Sequence, residues 1–151
     1  MHLMMSKMAS MNTRKVLFLC TGNSCRSQMA EAIVNHYLAS YWQAFSAGTR
    51  PSGYIHPKAL QALEEIGIQH QGESKHIDQL RHMDFDLVIT VCDSAAQDCP
   101  LWLGKGRVVH RSFPDPAEAT GTDTEIMMVF RQVRHEIVGQ IPAMLRDVFG
   151  Q

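Results

Sequence analysis

Short apolar runs alternate along the chain with stretches in which apolar residues recur at helical spacing. Strands are predicted at four short runs, namely VLFL (16–19), AFSAGT (44–49), DLVITVC (86–92) and RVVHRSF (107–113). The first is apolar throughout, and DLVITVC is the clearest of the four. Runs of this kind are typical of strands buried in a parallel sheet, because both faces of such strands are covered. We therefore expect four strands.

Three helices are predicted between and after these runs. Helical spacing begins at Gln28, recurs in HPKALQALEEIGI, and extends over DTEIMMVFRQVRHEIVGQIPAMLRDVF near the end of the chain. The second helix carries Pro57 in its first turn and Gly67 at its end, which are the usual start and stop signals. In the last helix Pro142 predicts a bend or a boundary.

The alternation of strands and helices predicts an α/β fold with a four-stranded parallel sheet flanked by helices, built from right-handed β-α-β units. A chain of 151 residues fits one domain, which we place at residues 14–151, after a flexible leader at residues 1–13. Ligands of such sheets bind beyond the carboxyl ends of the strands. This rule points to Cys20 and Cys92.

Charge and composition exclude several classes of partner. The net charge of −1 leaves no basic surplus to neutralise phosphates, so a nucleic-acid partner is not expected. No stretch approaches the ~20 apolar residues of a membrane span, so a membrane partner is not expected either. The chain has four cysteines and no signal peptide, which favours a reducing compartment, and we expect the cytoplasm.

The segment CTGNSCRS, which follows the first strand, has the residues of an oxyanion site. Glycine and asparagine tolerate positive φ, so the loop can turn its backbone N–H groups inward, beside the unpaired N–H groups of the next helix. The predicted cradle comprises Thr21, Gly22, Asn23, Ser24, Cys25 and Arg26. Its positive field favours a thiolate at Cys20.

Three side chains of this loop have separate predicted roles. Arg26 presents a planar fork that can hold two oxygens of a tetrahedral anion. Ser27 can donate a hydrogen bond to the sulfur of Cys20, and Cys25 is expected to pack beneath the cradle. A thiolate, a cradle of amides and a bidentate clamp together form a nucleophile aimed at a bound oxyanion.

The segment VLFLCTGNSCRSQMAEA resembles the active-site loop of the low-molecular-weight protein tyrosine phosphatase fold, and in particular of the thioredoxin-coupled arsenate reductases built on it. The resemblance extends from about Lys15 to the terminal helix and includes FSAGT, HPKAL, DLVITVC and FPDPA. The Cys-x5-Arg-Ser loop is common to the fold family. The further cysteines in VCDSAAQDCP separate the reductases from the phosphatases.

The resemblance implies an arsenate reductase of arsenic detoxification that works without a cofactor. Cys20 attacks arsenate held by Arg26 and the loop amides, and Asp115 is the general acid that protonates the departing oxygen. Cys92 then attacks the sulfur of the Cys20 adduct, which releases arsenite and leaves a disulfide between these two cysteines. Cys99 attacks in turn, and thioredoxin reduces the final disulfide between Cys92 and Cys99.

Two other functions remain open. The first is a low-molecular-weight protein tyrosine phosphatase or small-phosphoester phosphatase, and weak phosphatase activity is expected because the thiolate, arginine and acid are the same. Related phosphatases carry aromatic residues after the Asp-Pro turn, whereas this chain has DPAEATG, which predicts a pocket without aromatic walls. The second is an oxyanion-binding module that has no turnover. The thiol donor is also open between thioredoxin and glutaredoxin.

In part of the reductase family a potassium ion lies near the active-site loop. Three of its implied ligands match Asn23, Glu31 and Ser46, but the fourth position is Lys75. A fixed ammonium group beside the same ligands repels a cation. We therefore expect no metal, and we expect Lys75 to take the place of the ion and to brace the loop through hydrogen bonds.

Overall fold

The sheet in the computed structural model, which describes residues 13–92, 102 and 104–148, has four parallel strands in the order β2-β1-β3-β4. The strands are β1 (Arg14–Cys20), β2 (Trp42–Gly48), β3 (Leu87–Thr90) and β4 (Arg107–His110). All three neighbouring pairs are parallel. The predicted fold class, a parallel α/β sheet, is thereby confirmed. Strands β3 and β4 lie inside their predicted runs, β1 extends its run at both ends, and β2 starts two residues before its run and ends one residue before the run ends.

Three α-helices connect or follow these strands in the described part of the chain: α1 (Arg26–Tyr37), α2 (Pro57–Glu64) and α3 (Asp123–Val148). Two 3₁₀ helices lie at Ile77–Leu80 and Pro116–Glu118. Helix α2 ends earlier than its apolar pattern predicts. Gly67 adopts a φ of 82° there, and its N–H donates to the carbonyl of Glu64.

Of the two alternatives predicted at Pro142, a bend or a boundary, the boundary is wrong, because α3 continues through this residue to Val148. A proline inside a helix removes one backbone hydrogen bond and costs about 3 kcal/mol. Pro142 is nevertheless buried, and its neighbours Ile141 and Leu145 are fully buried against the sheet side of the helix. The apolar face of α3 therefore holds the helix together where local propensity opposes it.

Both faces of the central strands are buried. Along β1, Phe18 and Cys20 join the core formed with α1 and α3, whereas Leu17 and Leu19 join a smaller core that includes Val88. This alternation follows from the pleat of a strand, which sends successive side chains to opposite faces. No helix in the described residues is long and apolar enough to cross a membrane.

Strand β4 departs from the prediction of a sheet covered throughout. Its residues are mostly exposed, and Val108 is 49% exposed. The run RVVHRSF correctly predicts a strand. Its position at the edge of the sheet follows from its pairing with β3 alone, which the run by itself does not predict. The two inner strands thus carry the core, and their carboxyl ends meet in the region of Cys20 and Cys92.

Candidate active site

The loop from residue 21 to residue 25 turns its carbonyl groups away from the space in front of Cys20. The carbonyl oxygens of Thr21 and Gly22 accept hydrogen bonds from the backbone N–H groups of Arg50 and Ser52, at 2.9 and 3.0 Å. Within the described residues, no backbone N–H of positions 21–25 is itself paired with a backbone carbonyl. The loop therefore leaves its amide donors for an anion, which is the arrangement of an anion-binding nest.

Asn23 supplies the sharp turn of this loop. It has a φ of 49°, the one positive value for a residue other than glycine in the described part of the chain. Its side chain is fully buried, and its Nδ2 donates to the Oγ of Ser27 at 2.8 Å. The Oδ1 of Asn23 accepts from the backbone N–H of Lys75 at 2.9 Å. These bonds hold a conformation that an L-residue rarely adopts by itself.

Gly48, at the end of β2, lies directly behind the loop. A Cβ at this position would stand 2.3 Å from the carbonyl oxygen of Thr21 and 2.9 Å from that of Cys20. Backbone atoms cannot rotate away from such a contact as a side chain can. The loop therefore requires glycine at position 48 in order to sit where it does.

Cys20 and Cys25 are free thiols, and both are buried. Burial raises the pKa of the Cys25 thiol to about 12, and the nearby carboxylate of Asp115 contributes to the increase. Cys25 is therefore protonated near neutral pH and is a poor nucleophile. Cys20 ends β1 at the floor of the loop and contacts the same cavity.

Arg26 begins helix α1 and is 6% exposed. Its Nη1 donates to the carbonyl oxygen of Phe113 at 3.2 Å, and its Nη2 lies 3.5 Å from Oδ2 of Asp115. The buried Nε has no hydrogen-bond partner. A buried donor without a partner is costly, so this N–H is available for a bound oxyanion beside the loop amides.

Asp115 and Ser27 have well-defined partners. Asp115 precedes the second 3₁₀ helix and accepts a hydrogen bond from the N–H of Ala117 at 3.0 Å, while its side chain remains 26% exposed. It faces the same cavity as Cys20. Ser27 is fully buried and bonds to Asn23, and the predicted donation to the Cys20 sulfur is absent from the hydrogen bonds of the described residues.

A cavity of about 230 Å³ opens in front of the loop. Besides the predicted residues, the segment after β2 contributes Ser52, Tyr54 and His56 to its walls. The expectation of a pocket without aromatic walls is therefore wrong, because Tyr54 comes from a different segment than the Asp-Pro turn. Sequence reasoning missed these residues. The segment RPSGYIHP carried the available signal, because its two prolines and its glycine indicate a loop of defined conformation between β2 and α2.

Of the remaining two cysteines, the structure describes Cys92, which lies two residues beyond the end of β3. Cys92 is fully buried and is disulfide-bonded. It follows Val91, whose N–H donates to the carbonyl of Leu19 at 2.9 Å, so it sits beside the end of β1. Cys99 lies outside the described residues, as do residues 1–12 of the predicted leader.

The residues near the potential potassium site do not fit a potassium ion. The ammonium group of Lys75 donates to the carbonyl oxygens of Ser46 and Glu73 at 3.0 and 2.9 Å. The charge of Lys75 acts to lower the pKa of the buried Glu31, although burial outweighs it and raises this pKa. The ammonium group of Lys75 thus binds one of the implied ligand residues, Ser46, and lies close enough to Glu31 to affect its pKa.

The fold and this loop define a class of proteins that bind tetrahedral oxyanions next to a cysteine thiol. The chain belongs to the low molecular weight phosphotyrosine protein phosphatase family, whose model matches residues 15–149. It is 45% identical over 134 residues to an arsenate reductase of Shouchella clausii, an alignment that covers 87% of this chain and 94% of that protein.

Two solved structures extend this likeness. One is described as an arsenate reductase in the oxidized state; it is 28% identical, has a TM-score of 0.73, and the match covers 90% of this chain and 99% of that one. The other is a thioredoxin-dependent arsenate reductase of Corynebacterium glutamicum, with 27% identity and a TM-score of 0.66 over 99% of this chain and 70% of that one.

Proposed function

We propose that this protein is an arsenate reductase that uses Cys20 as its nucleophile and thioredoxin as its reductant. The observation that carries the proposal is the arrangement of three groups around one cavity. Cys20 lies at its floor, the loop amides face it without backbone partners, and Arg26 offers a buried Nε without a partner. The relatives named above support arsenate as the oxyanion.

The first chemical step forms a bond between sulfur and arsenic. The Cys20 thiolate attacks the arsenic of bound arsenate, and the oxygen of one arsenate hydroxyl group leaves, still carrying its own hydrogen, with the electron pair of its bond to arsenic. Asp115 donates the proton that turns this oxygen into water. Arg26 and the loop amides stabilise the negative charge on the remaining oxygens as the transition state forms.

The second step reduces arsenic. The thiolate of Cys92 attacks the Cys20 sulfur, a disulfide forms, and the electron pair of the sulfur–arsenic bond passes to arsenic, which leaves as arsenite. Cys99 then attacks Cys92 and returns Cys20 as a thiolate. The position of Cys92 beside the end of β1 supports its attack on the Cys20 sulfur. Thioredoxin closes the cycle with two electrons.

The test couples arsenate addition to NADPH oxidation through thioredoxin and thioredoxin reductase. We expect arsenate-dependent NADPH loss that disappears in Cys20→Ser, and glutaredoxin with glutathione should support a slower rate. Wild-type protein that oxidises no NADPH with either donor, although its four thiols titrate, would contradict the proposal.

A phosphatase is the second candidate, and Tyr54 is the observation that favours it. Tyr54 lines the cavity and is 58% exposed, so its ring could stack on a phenyl ester. We expect only weak hydrolysis of p-nitrophenyl phosphate. A kcat/KM for this ester above that for arsenate would make phosphatase the main activity.

The location in the cytoplasm and the division of the chain into a leader at 1–13 and a domain at 14–151 stay predictions. Cell fractionation tests the location, and a truncated chain tests the division into leader and domain. Fractionation should place the protein with cytoplasmic markers, and a chain that starts at Met11 should retain full arsenate reduction.

A further inference from the structure

A buried histidine, His70, lies behind the anion loop and outside the cavity. Its side chain is 7% exposed. Its Nε2 is 2.8 Å from Oε1 of Gln28 and 3.5 Å from Oε2 of Glu31. The role of Cys20, Arg26 and Asp115 does not involve this residue, and the sequence pattern does not single it out.

Gln28 connects His70 to the loop. Its side chain is fully buried. Its Nε2 lies 3.2 Å from the carbonyl oxygen and 3.0 Å from Oδ1 of Asn23, and 2.8 Å from the carbonyl oxygen of Glu73. All of these neighbours are acceptors, so the amide can face them only with its nitrogen. The carbonyl end of Gln28 must then point at His70.

This orientation fixes the proton on the histidine ring. The Oε1 of Gln28 can only accept, so Nε2 of His70 must carry the hydrogen. Burial, together with the charge of Lys75, lowers the pKa of His70, so the ring is neutral near neutral pH. A neutral ring with its hydrogen on Nε2 therefore donates this hydrogen to Oε1 of Gln28.

The backbone at Gly72 packs closely against the side chains of His70 and Gln28. A Cβ on Gly72 would stand 2.5 Å from Nε2 of His70 and 2.9 Å from Oε1 of Gln28. The two side chains therefore have little space in which to adopt another arrangement. The hydrogen bond between them lies in a packed interior, where an unpaired acceptor is costly.

We propose that His70 is a positioning residue that orients the Gln28 amide and, through it, holds Asn23 in the left-handed conformation that the anion loop needs. Without the donor at position 70, Oε1 of Gln28 is buried and unpaired. The amide then gains by shifting toward another donor or toward water, and such a shift weakens the two contacts of its Nε2 with Asn23. The proposal rests on the proposed function in one respect, since it assumes that the loop binds a tetrahedral oxyanion.

The main experiment compares two substitutions. His70→Leu keeps the volume and removes the donor, whereas His70→Gln keeps an N–H that can reach Gln28. Binding of inorganic phosphate is measured by the protection of Cys20 from iodoacetamide. We expect His70→Leu to weaken phosphate binding about 10-fold and His70→Gln to restore it to within about 3-fold of wild type, as the loss and return of one buried hydrogen bond predict.

A double-mutant cycle with Gln28→Leu separates positioning from packing. Once Gln28 is replaced, His70→Leu should weaken phosphate binding by less than about 2-fold, because its target is gone. Asn35→Ala is the matched control. It removes two hydrogen bonds to the backbone of Ala44 from the other end of α1, so it should lower the melting temperature without changing phosphate binding.

Three results would overturn the proposal. One is wild-type phosphate binding by folded His70→Leu, and another is equal weakening by His70→Leu and His70→Gln. The third needs no variant: a ring ¹⁵N spectrum of the wild-type protein that places the His70 hydrogen on Nδ1. Wild-type protein that binds phosphate but fails to reduce arsenate would contradict the proposed function and leave the effect of His70 measurable.

Discussion

Replacing Gly48 with alanine tests how closely the anion loop depends on its backbone position. The new Cβ would stand 2.3 Å from the carbonyl oxygen of Thr21, whereas ordinary contacts begin near 3.4 Å. The two must separate by about 1.1 Å. Both belong to backbone at strand ends, and β2 is tied there by the hydrogen bond from the Gly48 N–H to the carbonyl of Lys75 at 3.0 Å.

The expected magnitude follows from this displacement. Overpacking of a closed interior costs about 1–3 kcal/mol of folding free energy. A shift of 1 Å in groups that position a reacting substrate costs on the order of 100-fold in rate. We therefore expect Gly48→Ala to stay folded with a lower melting temperature, and to lose about 100-fold in kcat/KM for arsenate.

Two other glycines provide matched controls. At Gly139, within α3, an added Cβ meets nothing within 4 Å, so Gly139→Ala should stabilise the protein by about 0.5–1 kcal/mol. At Gly22, in the loop itself, the nearest atom is the Cβ of Ser24 at 4.0 Å, so Gly22→Ala should retain most activity. Thermal melting and the thioredoxin-coupled assay are run on all three variants.

The reasoning fails if Gly48→Ala reduces arsenate as fast as wild type while it melts at the same temperature. It also fails if Gly22→Ala loses as much activity as Gly48→Ala, because substitution anywhere near the loop would then be harmful and the backbone contact behind it would explain nothing.

The remaining predictions concern charge. Asp115→Asn should lower kcat by about 100-fold and leave phosphate binding nearly unchanged, since an acid acts in the transition state; equal losses in both measurements would argue against this role. Potassium at constant ionic strength should leave turnover and melting temperature of wild type unchanged, because Lys75 already binds the carbonyl of Ser46; a several-fold stimulation would contradict the account. Arg131 and Arg134 lower the pKa of Glu65 from 4.5 to about 2. The ionised carboxylate therefore adds stability above about pH 4.5 that is lost as the pH falls toward 2, and Glu65→Gln should remove less than about 1 kcal/mol at neutral pH and flatten the acid side of the stability curve.

Local sequence was sufficient for the strands and for the loop. The apolar runs predict β1 and β3 because both faces of these inner strands are buried, and Asn23 predicts the turn because few residues tolerate its positive φ, which Gly22 does not adopt. For α3 the sequence left a bend and a boundary open at Pro142, and the packing of Ile141 and Leu145 decides that the helix continues.

The parts of the site that the sequence did not reveal are contacts between distant segments. Tyr54 reaches the cavity from the connection after β2, and His70 reaches Gln28 across 42 positions of the chain. Neither residue lies in a motif, and an exposed tyrosine or a single histidine is common on any protein surface. Only the folded arrangement places them beside the loop.

A single-turnover measurement tests the central claim most directly, namely that Cys20 reduces arsenate with electrons from the protein's own thiols. Fully reduced protein is mixed with arsenate in the absence of thioredoxin, arsenite is quantified, and the disulfides are mapped by mass spectrometry. We predict one arsenite and one new disulfide per chain, between Cys92 and Cys99 in wild type and between Cys20 and Cys92 in Cys99→Ala. Arsenite formation by Cys20→Ser, or turnover that leaves all four wild-type thiols reduced, would contradict the account.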